Sequence, residues 1–329
     1  MGRVVGVGGP ILDLILQVSD AYLESIPGKK GGMLPVSFPA LESLITNSGQ
    51  NPISLLGGCS RNTLHAMAEL GDSVALIGQL GNDKRGADYQ RILAEQGIEG
   101  RLLVSETPTA IVLSMVTPDG QRTMRTFQGA STELEGCHLK REMFRGAELV
   151  HLEGYTLYNH ELTEHACLIA KEMGAKVSLD LSSFETVERF RPRLLSLLER
   201  YVDIVFANED EARALTGEGE SLACDRMAEL TEVSVVLLGE RGCLVGKGKQ
   251  KFYHRVQPIV PVDTTGAGDL FASGFLHAYL QNAPLEVCAE LGSMLGGAVI
   301  QEYGSIIPSH KFSEICRDLS WSSALHKGR

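Results

Sequence analysis

The chain has 329 residues, 43% hydrophobic and 22% charged, as expected of a soluble globular protein with one large domain and an appendage, or with two domains. Its 41 acidic residues outnumber 30 basic ones, for a net charge of −11 without a sizeable basic patch, which argues against nucleic acid or an anionic membrane as partner. Met1–Pro10 lacks the basic and apolar regions of a signal peptide, no stretch approaches 18 uninterrupted apolar residues, and seven scattered cysteines form no C-x-x-C pair; a reduced, cytoplasmic protein is expected.

The first element, Arg3–Gly9, is short, valine-rich and stopped by glycines, as a buried strand would be. Irregular sequence follows to about Leu56, with a strand near Leu14–Val18, a glycine-rich turn at Gly28–Gly32 and a helix near Phe38–Asn47. Helical periodicity returns over Cys59–Leu70 and stops at Gly71; a strand at Ser73–Leu80 and a helix near Asp83–Gln96 come next. Thr109–Thr117 and Gln121–Gln128 form a hairpin around Pro118-Asp119-Gly120, and the polar second strand suits a sheet with one wet face. Strands near Glu148–Leu152, Lys176–Leu181, Asp203–Ala207 and Ser234–Leu238 then alternate with helices near His160–Met173, Arg191–Glu199 and Asn208–Leu215. Helices near Gly266–Gln281 and Leu285–Gln301, and one after Ser309, close the chain. Such alternation predicts a mostly parallel sheet covered by helices on both faces. The expected division is a large α/β domain (1–12, 57–100 and 129–329) with a small β-rich lid (13–56 and 101–128).

The chemistry concentrates in Asp263-Thr-Thr-Gly-Ala-Gly-Asp269 at the head of an apolar helix. Gly266, Ala267 and Gly268 let successive backbone N–H groups turn toward one point, and the positive end of the helix adds to them, making an anion hole suited to phosphate. Asp269 in the first turn would repel a resting phosphate, yet it suits a general base taking a proton from a hydroxyl that attacks the γ-phosphoryl group. An ordinary helix start with a capping acid is the bland alternative.

This heptapeptide resembles the C-terminal signature of the ribokinase-like, or PfkB, family of carbohydrate and nucleoside kinases. Gly57-Gly-Cys-Ser-Arg-Asn62, Gly78-Gln-Leu-Gly-Asn-Asp-Lys-Arg-Gly86 and Asn208-Glu-Asp-Glu211 resemble the family's other elements, in the expected order. The resemblance implies a three-layer α/β/α fold with a β-rich lid, and a kinase using ATP and Mg2+. It makes Asp269 the base and the amides of Gly266, Ala267 and Gly268 the anion hole. Asn208 and Glu211 would organise Mg2+ through water, Gly57, Gly58 and Asn62 would bind the acceptor, and Asp13 would chelate two ring hydroxyls. Gly9 departs from the family pattern, standing where asparagine is frequent. Arg122 or its rival Arg125, on the opposite strand face, would reach the transferred phosphate. Thr264, Thr265, Gly239, Gly242 and the 292–304 wall would hold the nucleotide; Asp263 with Thr265 and backbone near Gly304 resembles a monovalent-cation (K+) site.

The acceptor is a small molecule. The 43 residues between Asp13 and Gly57 resemble the lid insertion of adenosine kinases, favouring adenosine over a free sugar, with Leu34, Phe38, Met115 and Phe127 as candidates for a purine slot. Ribose, fructose or fructose phosphate is the alternative acceptor, and a non-catalytic nucleoside sensor the alternative of another class. Pairing of two copies through an exposed lid face is a further expectation from the resemblance.

Overall fold

A computed structural model describes residues 3–318. Fourteen strands follow one another among these residues: β1 (Arg3–Val7), β2 (Ile11–Gln17), β3 (Met33–Pro35), β4 (Ile53–Gly57), β5 (Ser73–Gly81), β6 (Ile98–Ser105), β7 (Ala110–Val116), β8 (Arg122–Phe127), β9 (Leu149–Glu153), β10 (Lys176–Asp180), β11 (Ile204–Asn208), β12 (Val233–Leu237), β13 (Cys243–Lys247) and β14 (Gln250–His254). The α-helices are α1 (Asp20–Glu24), α2 (Phe38–Ser48), α3 (Cys59–Glu69), α4 (Lys84–Glu95), α5 (Leu162–Glu172), α6 (Phe184–Arg200), α7 (Glu209–Thr216), α8 (Glu220–Ala228), α9 (Ala267–Leu280), α10 (Leu285–Val299) and α11 (Ser309–Asp318).

Nine strands form one sheet in the order β14-β13-β12-β11-β10-β9-β1-β5-β6, antiparallel only at β12–β13 and β13–β14. Its parallel strands are buried, because helices cover both faces. One apolar cluster packs α3, α9 and α10 against residues such as Val4, Leu76, Phe206 and Val235; the other packs α5, α6, α7 and α8 against Val5, Ile77, Val177 and Val236. The chain leaves β1 toward β5 on one side and returns through β9 on the other. The strand order therefore reverses beside β1, and in open α/β sheets the crevice beyond the strand ends at such a point is where ligands bind.

A second sheet, β3-β8-β7-β2-β4, makes the lid. Period-2 alternation gives it two unlike faces. Leu14, Leu16, Ile111, Leu113 and Met115 face α2 and form a small core with Leu41. Asp13, Gly57, Ser114 and Arg122 lie on the other face by register, and that face turns toward the large domain. Helix α2 covers the outer side of this sheet.

Several boundaries differ from the sequence reading. Residues 98–105 pair with β5 at the edge of the large sheet, so the lid's second segment starts after them rather than at 101. Glu99 and Arg101 on this half-wet edge hide its strand character. Helix α6 starts at Phe184, capped by the Ser183 hydroxyl, and carries Pro192 inside it instead of beginning beside it. The β13–β14 hairpin, β4 and α8 went unread, being short or weakly patterned. No helix among the described residues is long and apolar enough to cross a membrane.

Candidate active site

Helix α9 begins where the chain makes a left-handed turn at Gly266 (φ +78°), and no side chain caps its first amides. A Cβ on Gly266 would lie 2.7 Å from the Ser305 Cβ, so both space and backbone demand glycine there. Gly268 is different: a Cβ would meet nothing closer than Leu237 Cδ1 at 3.9 Å and Asp180 Oδ2 at 4.0 Å. It opens onto a cleft of about 670 Å3 lined by Thr264, Gly266, Ala267, Gly268 and Asp269 on this side, and by Asn208, Gly239 and Gly242 on the other. Ser293, Gly296, Gly297 and Ile300, within the expected 292–304 wall, also line it.

Asp269 sits in the first turn of α9, and its Oδ2 accepts a hydrogen bond from Asn62 Nδ2 at 2.8 Å. Asn62 belongs to α3, which follows the Gly57-Gly58 corner. Its Oδ1 accepts from Ser305 Oγ at 2.9 Å and from Arg61 at 3.2 Å, which fixes the amide's orientation. Thr63 Oγ1 binds the Asp269 carbonyl at 3.1 Å. Burial pushes the Asp269 carboxyl up to about 7, against the Asn62 hydrogen bond and with help from the charges of Asp180 and Glu153. The Cys59 thiol stands beside the carboxylate, and burial holds that thiol well above its ordinary range, so it stays protonated.

On the lid side, Asp13 lies under Gly57, where a Cβ would come within 2.5 Å of its Oδ2. Gly58 (φ +103°) brings its backbone against the Gly9 carbonyl. Burial raises Asp13 to about 6; Arg61 and Arg122 oppose the rise and Asp263 adds to it. Arg122 reaches from the lid to Asp263 in a 2.8 Å ion pair. Arg125 is buried on the opposite face, donating to the carbonyls of Met124 and Pro27.

Asp263 is fully engaged: besides Arg122, Gly304 N–H donates to it at 2.7 Å and Thr265 donates through its hydroxyl (2.8 Å) and its amide (3.2 Å). Asn208 and Glu211 cap each other at the start of α7. Asn208 N and Nδ2 occupy both Glu211 oxygens (2.8 and 2.7 Å), and Asn208 Oδ1 takes the Glu211 amide. Burial, reinforced by Asp180, raises Glu211 to about 8.

The fold thus brings Gly266, Gly268, Asp269, Asn208 and Glu211 around one cleft, with Asn62 bonded to Asp269 and with Asp13 and Arg122 on the lid. Reading the sequence did not single out Asp180, Glu153, Cys59, Ser114 or Thr126. Asp180 ends β10 in the cleft wall and is raised to about 6 by burial. Glu153 is buried at the end of β9 and accepts from Gly9 N and Ser60 N, which pins the corner before α3. Both end strands at the crevice, the one signal that was legible. Ser114 and Thr126 carry buried hydroxyls without a partner on the lid face shared with Asp13. Leu34, Phe38, Met115 and Phe127, the purine-slot candidates, belong instead to the α2-covered side. Met115 is fully buried in the lid core, Phe38 and Phe127 pack on it, and Leu34 shares the register of Arg125. A shift of one residue along a strand reverses the face, and apolar character alone does not reveal which face is covered.

The profile of the pfkB family carbohydrate kinases matches residues 45–311. A crystal structure of a probable sugar kinase from Rhizobium etli CFN 42 superposes with a TM-score of 0.85 at 32% identity, covering 98% of this chain and 99% of that one. Adenosine kinase from Sinorhizobium meliloti gives the same TM-score at 31% identity, over 97% and 99% of the two chains. Fructokinase-1 of Oryza sativa subsp. japonica is 31% identical over 248 residues, 69% of this chain and 74% of its own. With the profile spanning most of its length and the mostly parallel sheet in place, the chain belongs to the pfkB family of carbohydrate kinases.

Proposed function

We propose that this kinase transfers the γ-phosphoryl group of ATP to the primary hydroxyl of a nucleoside, adenosine ahead of other nucleosides. One observation carries the transfer chemistry: the Asp269 carboxylate, held by Asn62 at 2.8 Å, stands in the first turn of a helix whose glycine-flanked amides open on the cleft. ATP lies along the cleft with its terminal phosphate at the amides of Gly266, Ala267 and Gly268, and with Thr264, Gly239 and Gly242 along its length. Asp13 and Asn62, beside Gly57 and Gly58, hold the acceptor's hydroxyls. Asp269 takes the proton of the attacking hydroxyl, and Arg122 moves from Asp263 onto the transferring phosphate as negative charge builds there. Lid closure keeps water out and limits ATP hydrolysis.

Mg2+ on the nucleotide supplies neutralisation of phosphate charge. Both Glu211 oxygens already have partners, so Asn208 and Glu211 suit a cation held through water rather than by direct ligation. Thr265 braces Asp263, whose charge Arg122 balances; a monovalent cation such as K+ fits there once Arg122 leaves for the phosphate. The cytoplasm suits the chain, whose cysteines are all free.

The nucleoside reading draws on the adenosine kinase likeness and on the unpaired hydroxyls of Ser114 and Thr126. Ser114 stands in register with Ile15, two residues and roughly 7 Å along the strand from Asp13. A group bonding there extends beyond a ring held by Asp13, as a base does and a lone sugar does not. A free sugar is the second reading, favoured by the sugar kinase and fructokinase likenesses. A non-catalytic sensor would have no use for Asp269 and its glycines, which are both present.

The test is ADP formation measured against adenosine, other nucleosides, ribose, fructose and fructose phosphates. Asp269→Asn should lose turnover by about 10^2–10^4-fold while still binding ATP. Turnover retained in that variant would remove the base assignment.

A further inference from the structure

Arg61 lies inside the Gly57–Asn62 motif, and its surroundings are unusual for an arginine. It is 1% exposed, yet no carboxylate among the described residues lies within ion-pair distance. Burying an unpaired cation is costly. Its Nη1 donates to the Leu56 carbonyl at 3.3 Å and to Asn62 Oδ1 at 3.2 Å, its Nη2 donates to Gln96 Oε1, and its Nε has no partner. The guanidinium therefore braces the end of β4 and the Asn62 amide together. Asn62 passes the constraint on, since Oδ1 held by Arg61 and Ser305 leaves Nδ2 facing Asp269.

We infer that Arg61 is a positioning residue for phosphoryl transfer: it orients Asn62, and through it the Asp269 carboxylate, and supplies the positive field that keeps the acids of the acceptor site ionised. This rests on the reading of Asp269 as base. Charged and titratable groups face this cluster from every side. Around Asp269 stand Asp180 on β10, Glu153 on β9 and Cys59 on α3. Around Arg61 stand Tyr89 on α4, Asp13 on β2, Asp269 on α9 and His65 one turn along α3, and Asp13 is faced in addition by Arg122 on β8 and by Asp263 before α9. The carboxylates all disfavour further negative charge, and His65 is kept neutral by burial and by Arg61 itself. Arg122 also acts on Asp13, but it is 21% exposed and paired with Asp263, whereas Arg61 is the fully buried cation of the two.

The experiment compares wild type, Arg61→Met and Arg61→Lys by steady-state kinetics with the acceptor that the screen identifies, over pH 5–9 (roughly the carboxylate and imidazole range), with thermal unfolding as a check on folding. In Arg61→Met kcat should fall about tenfold, the KM for ATP should stay within about twofold, and the acid limb of kcat/KM should move up by about one pH unit, the low end of what a neighbouring opposite charge imposes. In Arg61→Lys the limb should return to its wild-type position. A folded Arg61→Met with wild-type kcat, or with a lowered rate and an unmoved limb, overturns the inference. Should Arg61→Met not fold, Arg61→Lys decides: lysine keeps the charge but not the planar fork, so reduced kcat with an unmoved limb supports the role and unchanged kcat refutes it. Asp269→Asn run alongside separates the two claims. An inactive Asp269→Asn beside a wild-type-like Arg61→Met sinks only this inference, whereas an active Asp269→Asn sinks the base.

Discussion

Arg122, the first residue of β8 in the lid, is joined to Asp263, three residues before the left-handed turn at Gly266, by a 2.8 Å ion pair. The pair ties the small sheet to the loop that leads into α9. The same carboxylate holds Gly304 and Thr265, so the lid, the loop before the glycine turn and the segment after α10 meet at one residue.

Arg122→Met should therefore weaken lid closure and remove charge from the transferring phosphate. The expected result is a kcat reduced about 10–100-fold, with futile ATP hydrolysis rising relative to acceptor phosphorylation. Coupled assays of ADP release and phosphorylated product read both quantities. Arg125→Met should behave differently, destabilising the lid loop at 27–32 without a change in that ratio, because its guanidinium is tied to Pro27 and Met124.

The pH profile follows from Asp269. With its carboxyl at about 7, Asp269 is protonated below neutrality, and its proposed role as base predicts that kcat/KM drops about tenfold per unit on the acid side of that limb. The stability sign runs the other way. A carboxyl raised from 3.8 in the unfolded chain adds stability that is fully present below about 4 and lost as pH climbs through about 7. Asp269→Asn should thus gain in Tm over wild type at pH 8 more than at pH 5 (values roughly either side of that limb). An equal gain at both pH values would contradict the assignment.

Two glycines of one turn should respond oppositely to alanine. Gly266→Ala meets Ser305 and a positive φ, so it should lower stability by about 1–2 kcal/mol or more from backbone strain alone. Gly268→Ala meets no close atom; it should fold normally and lose ATP affinity, because its methyl fills the space at the helix amides. Calorimetric unfolding and ATP titration together distinguish the two.

Ser114→Ala and Thr126→Val test the acceptor. Each hydroxyl is buried without a partner, so removing it should leave stability unchanged or slightly improved. If a nucleoside base reaches them, the acceptor KM should rise about 5–10-fold, the worth of a lost hydrogen bond, while the KM for ATP stays put. A free-sugar acceptor predicts no effect on either.

What the amino-acid order determined by itself was local. Glycines that permit a tight turn, an apolar run that must start a helix, and a carboxylate at its first turn specify an anion-facing helix end wherever the chain folds. The alternation of strands and helices after residue 148 likewise specified the parallel sheet, since crossover connections allow little else. Tertiary structure alone decided which side of each lid strand meets the cleft. Met115 and Ser114 are neighbours in one strand, and the docking of α2 places one in the core and the other on the Asp13 face. It alone also brought Asp180, Glu153 and Arg61 to Asp269. Those residues come from separate strands and helices, and the interactions that shift their protonation depend on burial and on distances across the fold, which no local pattern encodes.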